Sequence, residues 1–167
     1  MLNYLYILSI SLLLLLVACA PPEQILELQQ AFDFAYEGKI NEALFSSEIY
    51  LRNHPEDINA LLLNSFCILK SNSTDAQKGQ AVFNLDKALR LAPESFAANY
   101  FYGWALAETG QDREAIPILE KALQLMPENS DKRAELFLLL GRCSSNNNLH
   151  DKGMNYLQPL RIYEPYR

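Results

Sequence analysis

Two histidines and three cysteines are the residues of this 167-residue chain best suited to metal ligation or nucleophilic chemistry. His54 precedes Pro55, and His150 lies just after the run of asparagines at residues 146–148. Neither histidine stands at metal-ligand spacing from a cysteine or from the other histidine. The chain also has no glycine-rich phosphate loop and no nucleophile elbow. The sequence therefore predicts no metal, no cofactor and no enzymatic activity.

Recurring prolines and small residues divide the chain into four units. The prolines lie 38, 34 and 38 residues apart, and a small residue precedes each of them by twelve positions. The pairs are Ala43 with Pro55, Ala81 with Pro93, Ala115 with Pro127, and Gly153 with Pro165. A fixed period near 34 residues indicates stacked copies of one supersecondary unit. The spacing therefore predicts a solenoid.

The clearest unit runs from Phe96 to Asn129 and fits two amphipathic helices with a break at residues 109–112. Gly110 suits the C-terminal cap of the first helix, because glycine adopts the left-handed backbone conformation at little cost. Asp112 suits the N-cap of the second helix. The unit is therefore predicted to be a helical hairpin that ends at Pro127.

This unit resembles the tetratricopeptide repeat family. The residues at the signature places of the family are Gly103, Leu106, Gly110, Ala115, Leu119, Ala122 and Pro127. The resemblance implies an all-α fold, an α-solenoid of about four helix-turn-helix repeats over residues 24–167. The repeats are expected at residues 24–57, 58–95, 96–129 and 134–167, and the first and fourth depart furthest from the family pattern.

The N-terminal segment predicts export and membrane attachment. Residues 1–18 carry no charged side chain, and the stretch Leu16-Val17-Ala18-Cys19 resembles the bacterial lipobox. That resemblance implies a signal peptide at residues 1–18, a lipid on Cys19 and a lipidated tether at residues 19–23. Because Ala20 follows the cysteine in place of an aspartate, the periplasmic face of the outer membrane is favoured in a Gram-negative cell. The alternative is an uncleaved transmembrane anchor at residues 4–20.

Cys67 and Cys143 fall at the same place in the second and fourth units, where Ala105 stands in the third. The place is expected to be buried between helices. Two equivalent places that lie two repeats apart should exceed the ~7 Å that a disulfide can bridge. We therefore predict two buried free thiols, and an intramolecular disulfide is the alternative.

The charge of the chain narrows the choice of partner. The formal net charge is −6, and no run of basic residues is present. An acidic surface disfavours nucleic acid and direct attraction to anionic lipid. The expected partner is accordingly another protein or peptide, and the membrane is reached through Cys19.

The family resemblance also implies a concave groove lined by the first helix of every repeat. The places that face this groove are Leu28, Phe32, Tyr36, Leu62, Phe66, Lys70, Tyr100, Trp104, Glu108, Leu138, Arg142 and Asn146. An apolar stripe with a polar border suits an amphipathic helix or an extended peptide. Phe32 and Phe66 fit groove and core equally well, whereas Tyr100 and Trp104 are expected in the groove as anchors of the partner.

The leading hypothesis is a membrane-tethered adaptor in the bacterial cell envelope. Its build is similar to that of the pilotin lipoproteins, which implies a role in assembling a complex such as a pilus or an outer-membrane machine. One alternative is a chaperone-like protein that binds many clients. The other is a structural protein that self-associates through its C-terminal helix, since a terminal repeat normally needs a polar outer face and this helix is rich in apolar residues.

Overall fold

The computed structural model describes residues 23–128 and 130–163, which form four antiparallel helical hairpins. Helices α1 to α8 span Glu23–Tyr36, Ile40–Asn53, Ile58–Lys70, Asp75–Leu91, Phe96–Glu108, Asp112–Leu125, Arg133–Asn146 and His150–Leu157. Each helix packs against its neighbours in sequence, and the first helices of successive hairpins also contact one another. The predicted all-α solenoid of about four repeats is confirmed.

The predicted membrane-attachment elements lie outside the described residues. This applies to the signal peptide at residues 1–18, to Cys19 and to the alternative anchor at residues 4–20, and only Glu23 of the tether is described. Among the helices of the described part, none combines the length and the hydropathy that crossing a bilayer requires.

The turns within the hairpins use a left-handed residue at one repeated place. Gly38 and Gly110 both have φ of +76°, and Asn148 has φ of 59° at the corresponding place of the fourth hairpin. The left-handed residue lets the next amide turn back, so that Gln111 N donates to the Leu106 carbonyl at 2.8 Å. The predicted cap at Gly110 is therefore present.

Three helices begin with a side chain that accepts from the first turn. Asp57 accepts from Ala60 N at 3.0 Å at the start of α3, and Ser95 accepts from Ala98 N at 3.3 Å at the start of α5. Thr74 forms a reciprocal capping box with Gln77 at the start of α4. These bonds satisfy backbone donors that a helix end leaves without an intrahelical acceptor.

The prediction that Asp112 caps α6 is wrong. The N-cap is Gln111, and no side chain caps this helix. Asp112 is the first helical residue, and its Oδ2 instead accepts from Asn146 Nδ2 of the next hairpin at 2.9 Å. A carboxylate in the first turn still interacts favourably with the helix dipole, so the residue type fits the helix start without serving as its cap.

Small residues set how closely the two helices of a hairpin approach. A Cβ atom added to Gly103 would lie 2.5 Å from Leu119 Cδ2, and one added to Gly141 would lie 2.8 Å from Leu157 Cδ2. In the second hairpin Ser65 takes this place and donates to the Ala81 carbonyl at 3.4 Å. The recurrence of small residues along the sequence therefore reflects helix contact.

The two cysteines within the described part are free and buried, as predicted. Burial raises the pKa of the Cys67 thiol to about 11 and that of the Cys143 thiol to about 12. For Cys143 the neighbouring Asp112 carboxylate contributes to this rise, because it disfavours a second negative charge nearby. Neither thiol is suited to nucleophilic chemistry at neutral pH.

The last hairpin packs less completely than the others. Helix α8 ends at Leu157, and the chain continues through Pro159 as the 3₁₀ helix Gln158–Tyr163. Gly153 is the buried residue of α8, while half of the Met154 side chain is exposed. Hydrogen bonding still ties α8 to α6, since Tyr156 donates to Glu120 and Lys152 pairs with the same carboxylate at 2.8 Å.

Candidate functional site

The first helices of the four hairpins form one face of the solenoid, and two cavities open on it. Helical periodicity places the lining residues: α3 contributes residues 59, 62, 63 and 66, and α7 contributes residues 135, 138, 139 and 142. Both sets follow the i, i+3, i+4, i+7 spacing of a single helix face. We call this surface the first-helix face.

The apolar pocket lies at the N-terminal end of the first-helix face, with a volume of about 390 Å³. Helices α1, α3 and α5 supply its lining, which consists of Phe32, Ala35, Tyr36, Asn59, Leu62, Leu63, Phe66 and Phe101. Tyr36 is 95% exposed and Phe32 is 39% exposed. Aromatic side chains exposed around an apolar cavity are typical of a site that buries a partner's apolar side chain.

Phe66 connects the pocket to the core. Its ring meets Phe101 edge-on at a centroid distance of 6.1 Å and lies 6.3 Å from the Trp104 ring. The sequence left open whether Phe66 lies in the groove or in the core. In the structure its side chain lines the apolar pocket and also packs against the core. These aromatic contacts join the wall of the apolar pocket to the core of the third hairpin.

The charged pocket lies further along the same face, also with a volume of about 390 Å³. Helices α3, α5 and α7 line it with Leu69, Lys70, Trp104, Glu108, Glu135, Leu138, Leu139 and Arg142. Two acidic and two basic side chains therefore stand around one largely buried tryptophan. The two pockets are joined by the aromatic contact between Phe66 and Trp104.

The charges of this pocket are engaged with one another. Glu108 Oε1 accepts from Arg142 Nη2 at 2.9 Å and from Trp104 Nε1 at 3.2 Å. Lys70 Nζ lies 5.1 Å from the centroid of the Trp104 ring, in a cation–π arrangement. Because its cations already have partners, the pocket is not an open basic clamp for a terminal carboxylate.

Glu135 stays ionised at the edge of the charged pocket. Burial alone would raise its pKa, but contacts with Tyr100, Lys132 and the nearby Lys70 bring the pKa below its usual value. The Tyr100 hydroxyl is affected in the opposite direction, because burial and the Glu135 carboxylate both raise its pKa. The Glu135 carboxylate thus keeps its charge over the physiological pH range.

Nine of the twelve residues predicted for the groove line these two pockets. They are Phe32, Tyr36, Leu62 and Phe66 in the apolar pocket, and Lys70, Trp104, Glu108, Leu138 and Arg142 in the charged pocket. Of the other three, Leu28 packs against the core of the first two hairpins, and Asn146 is hydrogen-bonded to Asp112. Tyr100 is the third.

Tyr100 requires a correction. Sequence reasoning placed it in the groove, but its side chain is 2% exposed and packs against Phe96 and Phe101 at centroid distances of 5.7 and 5.3 Å. Trp104, expected in the groove as well, is 9% exposed, so it belongs to the core and presents an edge to the charged pocket. Phe101 packs against the core and also lines the apolar pocket.

The family pattern did not predict several of the residues that line the two pockets. They are Ala35, Asn59, Leu63, Leu69, Phe101, Glu135 and Leu139. Most of them lie three or four positions from a predicted groove residue, so extending the helical periodicity would have found them. Within the described residues, no group of three or more His, Cys, Asp or Glu side chains is arranged to hold a metal ion.

The third hairpin matches a known repeat model. The model is that of the tetratricopeptide repeat, and the match covers residues 96–129. This unit is a tetratricopeptide repeat. No curated protein matches the chain.

Solved structures with a similar fold include several of the protein MamA. A crystal structure of MamA is 17% identical, with a TM-score of 0.68 over 87% of this chain and 79% of MamA. MamA from Desulfovibrio magneticus RS-1, from residue 41 to its end, is 24% identical, with a TM-score of 0.67 over 83% of this chain and 75% of that protein. At these identities the likeness shows the fold alone, a solenoid of helical hairpins.

Proposed function

We propose that this tetratricopeptide solenoid is an adaptor that binds a protein partner on its first-helix face. The observation that carries the proposal is the concentration of nine predicted groove residues around two pockets on this face. The exposed aromatic rings of Phe32 and Tyr36 would become buried on binding. Burial of exposed apolar area is the main driving force for association of this kind.

The two pockets favour a partner that carries both apolar and polar side chains. An amphipathic helix or an extended segment would place apolar side chains in the pocket between Phe32 and Phe66, and polar side chains near Lys70 and Glu108. Affinity would come mainly from the apolar pocket, because the charges of the other pocket are already paired. Those charges would instead disfavour segments that are apolar throughout.

We also propose that Cys19 tethers the solenoid to a membrane of the bacterial cell envelope. The lipobox-like stretch Leu16-Val17-Ala18-Cys19 supports this proposal, and Ala20 favours the periplasmic face of an outer membrane. The tether would hold the first-helix face beside an envelope complex during its assembly, for example a pilus or an outer-membrane machine. Metabolic labelling with a radioactive fatty acid tests the tether: label should enter the wild type and be lost with Cys19→Ser.

Affinity purification from envelope membranes tests the binding function. The protein is compared with a Phe32→Ala, Tyr36→Ala double variant and with a matched Phe45→Ala, Phe83→Ala double variant on the second helices. Phe45 and Phe83 are 63% and 60% exposed, so both pairs remove exposed aromatic surface. A stoichiometric partner that is lost with the first pair and kept with the second supports the adaptor. A diffuse set of clients that is equal in all three proteins supports the chaperone alternative.

The exposed apolar side chains of the last hairpin favour self-association as a second candidate. Leu149 and Met154 are 44% and 50% exposed, and Leu138 at the end of the first-helix face is 56% exposed. Sedimentation over a range of concentrations tests this candidate. Concentration-dependent dimers that disappear with Met154→Glu support it, whereas a strict monomer at high concentration rules it out.

A further inference from the structure

A third cavity, of distinct chemistry, lies between α2 and α4, away from the first-helix face. Its volume is about 370 Å³, and its lining is Glu48, Leu51, Arg52, Asn64, Ile68, Gln77, Gln80 and Asn84. Helix α3 supplies the floor through Asn64 and Ile68, while the second helices of the first two hairpins supply the walls. We call this cavity the amide crevice. It shares no lining residue with the two pockets of the first-helix face.

A chain of buried polar side chains runs along the crevice floor. Asn64 Nδ2 donates to Ser47 Oγ at 3.1 Å, and Asn84 Nδ2 donates to Asn64 Oδ1 at 3.1 Å. Gln80 Nε2 then donates to Asn84 Oδ1 at 2.9 Å. Asn64 is 2% exposed and Asn84 is 8% exposed. These bonds fix the orientation of each amide and leave one N–H on each asparagine for another acceptor.

The repeat architecture does not require polar residues at these positions. The place of Asn64 is taken by Tyr102 and Leu140 in the third and fourth hairpins, and that of Asn84 by Ile118 and Tyr156. Likewise, Ser47 stands where the later hairpins have leucine at positions 85, 119 and 157. Burying polar side chains costs free energy relative to well-packed apolar ones. Their concentration in the amide crevice, where each asparagine keeps one further amide N–H, makes the crevice suited to a polar ligand.

Two side chains of opposite charge stand at the crevice rim. Glu48 and Arg52 are both exposed and lie one turn apart on α2. Across the described part of the chain, none of the ion pairs involves either of them. Residues at this spacing have Cβ atoms about 5–6 Å apart. A dipeptide spans a similar length, since two extended residues cover about 7 Å.

We propose that the amide crevice binds a dipeptide with free termini. Arg52 pairs with its carboxylate and Glu48 with its ammonium group. The amides of Asn64, Asn84 and Gln80 match its peptide unit, which carries both a donor and an acceptor. The cavity volume is in the range of small-ligand sites. The site does not depend on the function proposed for the first-helix face.

Titration with the dipeptide Ala-Gln, followed by calorimetry and by amide NMR, tests this site. The wild type should bind saturably, with shifts at the side-chain amides of Asn64 and Asn84. Arg52→Gln should weaken binding at least about tenfold, the amount expected for one charge-assisted hydrogen bond. The doubly capped N-acetyl-Ala-Gln-amide, which lacks both charges, should be weakened to a similar degree or more.

A floor variant and a control on the other face complete the test. Asn64→Leu with Asn84→Ile introduces residues that the later hairpins carry at these places, so the fold should persist by circular dichroism while Ala-Gln binding is lost. The Phe32→Ala, Tyr36→Ala variant should bind Ala-Gln as the wild type does. Absence of saturable binding, or equal affinity for the capped peptide or the Arg52→Gln variant, would overturn the proposal. Because Arg52 is exposed, Arg52→Gln should not disturb the fold. Its effect on Ala-Gln binding therefore tests the site even if the floor variant unfolds.

Discussion

Gly103 sets the closest approach between α5 and α6 in the central hairpin. A Cβ atom at this position would meet both Leu119 Cδ2 at 2.5 Å and Leu119 Cγ at 2.6 Å. We therefore expect Gly103→Ala to lower the free energy of unfolding by about 1–3 kcal/mol, as overpacking of a core does. Urea denaturation measures the change.

Gly79 provides the matched control for this prediction. It lies within α4, and a Cβ atom added there would meet nothing within 4 Å. Gly79→Ala should therefore stabilise the protein by about 0.5–1 kcal/mol, because alanine has the higher helix propensity. Equal effects of the two substitutions would show that the short contact with Leu119 does not limit packing.

The Cys67 thiol should make stability depend on alkaline pH. Its folded-state pKa is about 11, raised by burial from an ordinary value of 9.0. Below pH 9 the thiol is protonated in both states and its contribution is fully present. Between pH 9 and 11 the unfolded thiol ionises while the folded one does not, so stability falls. Cys67→Ala should therefore lose less stability than the wild type over this range, and parallel curves would contradict the burial of an ionisable thiol here.

At the residue scale, the sequence predicted the positions that only a small side chain can occupy. It did not predict which of two adjacent aromatic side chains is buried and which lines a pocket. The small residues at Gly103 and Gly141 were recognised because their spacing recurs along the chain. Tyr100 and Phe101 are adjacent, both aromatic and about 100° apart around the helix, so hydrophobicity alone cannot choose between them. The choice depends on neighbouring α7, which Tyr100 contacts through Glu135.

The start of α4 is the best-capped helix end among the described elements. Thr74 and Gln77 form a capping box after the long turn of the second hairpin. Thr74→Ala should therefore lower the free energy of unfolding by about 1 kcal/mol. Lys39→Ala is the control, because Lys39 is the N-cap of α2 but makes no side-chain cap bond there. A Thr74 effect no larger than the Lys39 effect in chemical denaturation would contradict the role of the box.

Helix ends were predictable where glycine or proline marks them. Gly110 marked the turn between α5 and α6, and its φ of +76° explains why glycine stands there. Asp112 was misassigned because aspartate suits both an N-cap and the first turn of a helix. In the structure the Asp112 carboxylate accepts a hydrogen bond from Asn146, which lies 34 residues further along the chain, and it does not cap α6. Sequence spacing within one hairpin cannot show a contact with the next.

Local stability should fall from the centre of the solenoid to its last hairpin. Helix α5 has eight buried residues, whereas α8 has one, Gly153. Segments with few buried contacts open at lower free energy than the rest of a structure. Hydrogen exchange should accordingly show strongly protected amides in α5 and fast exchange in α8. Equal protection of the two helices would mean that the four hairpins unfold as one cooperative unit.

The solenoid itself could be predicted from sequence, but its division into two pockets could not. The period of the prolines and alanines specifies stacked hairpins, because each hairpin must bury the same small-residue contacts. Each pocket combines side chains from three helices, as when Phe101 of α5 closes the cavity beside Phe32 of α1. The pairing of Glu108 with Arg142 depends on the same stacking geometry, which a single repeat does not encode.

The central claim is that a protein partner binds the first-helix face, and site-specific photocrosslinking in living cells tests it most directly. A benzoylphenylalanine is placed at Tyr36 on that face, or at Phe83 on the second helices, where the native side chains are 95% and 60% exposed. Our account predicts one discrete crosslinked protein from position 36 and none from position 83. Crosslinks from position 83 alone would contradict it and would assign binding to the opposite side of the solenoid.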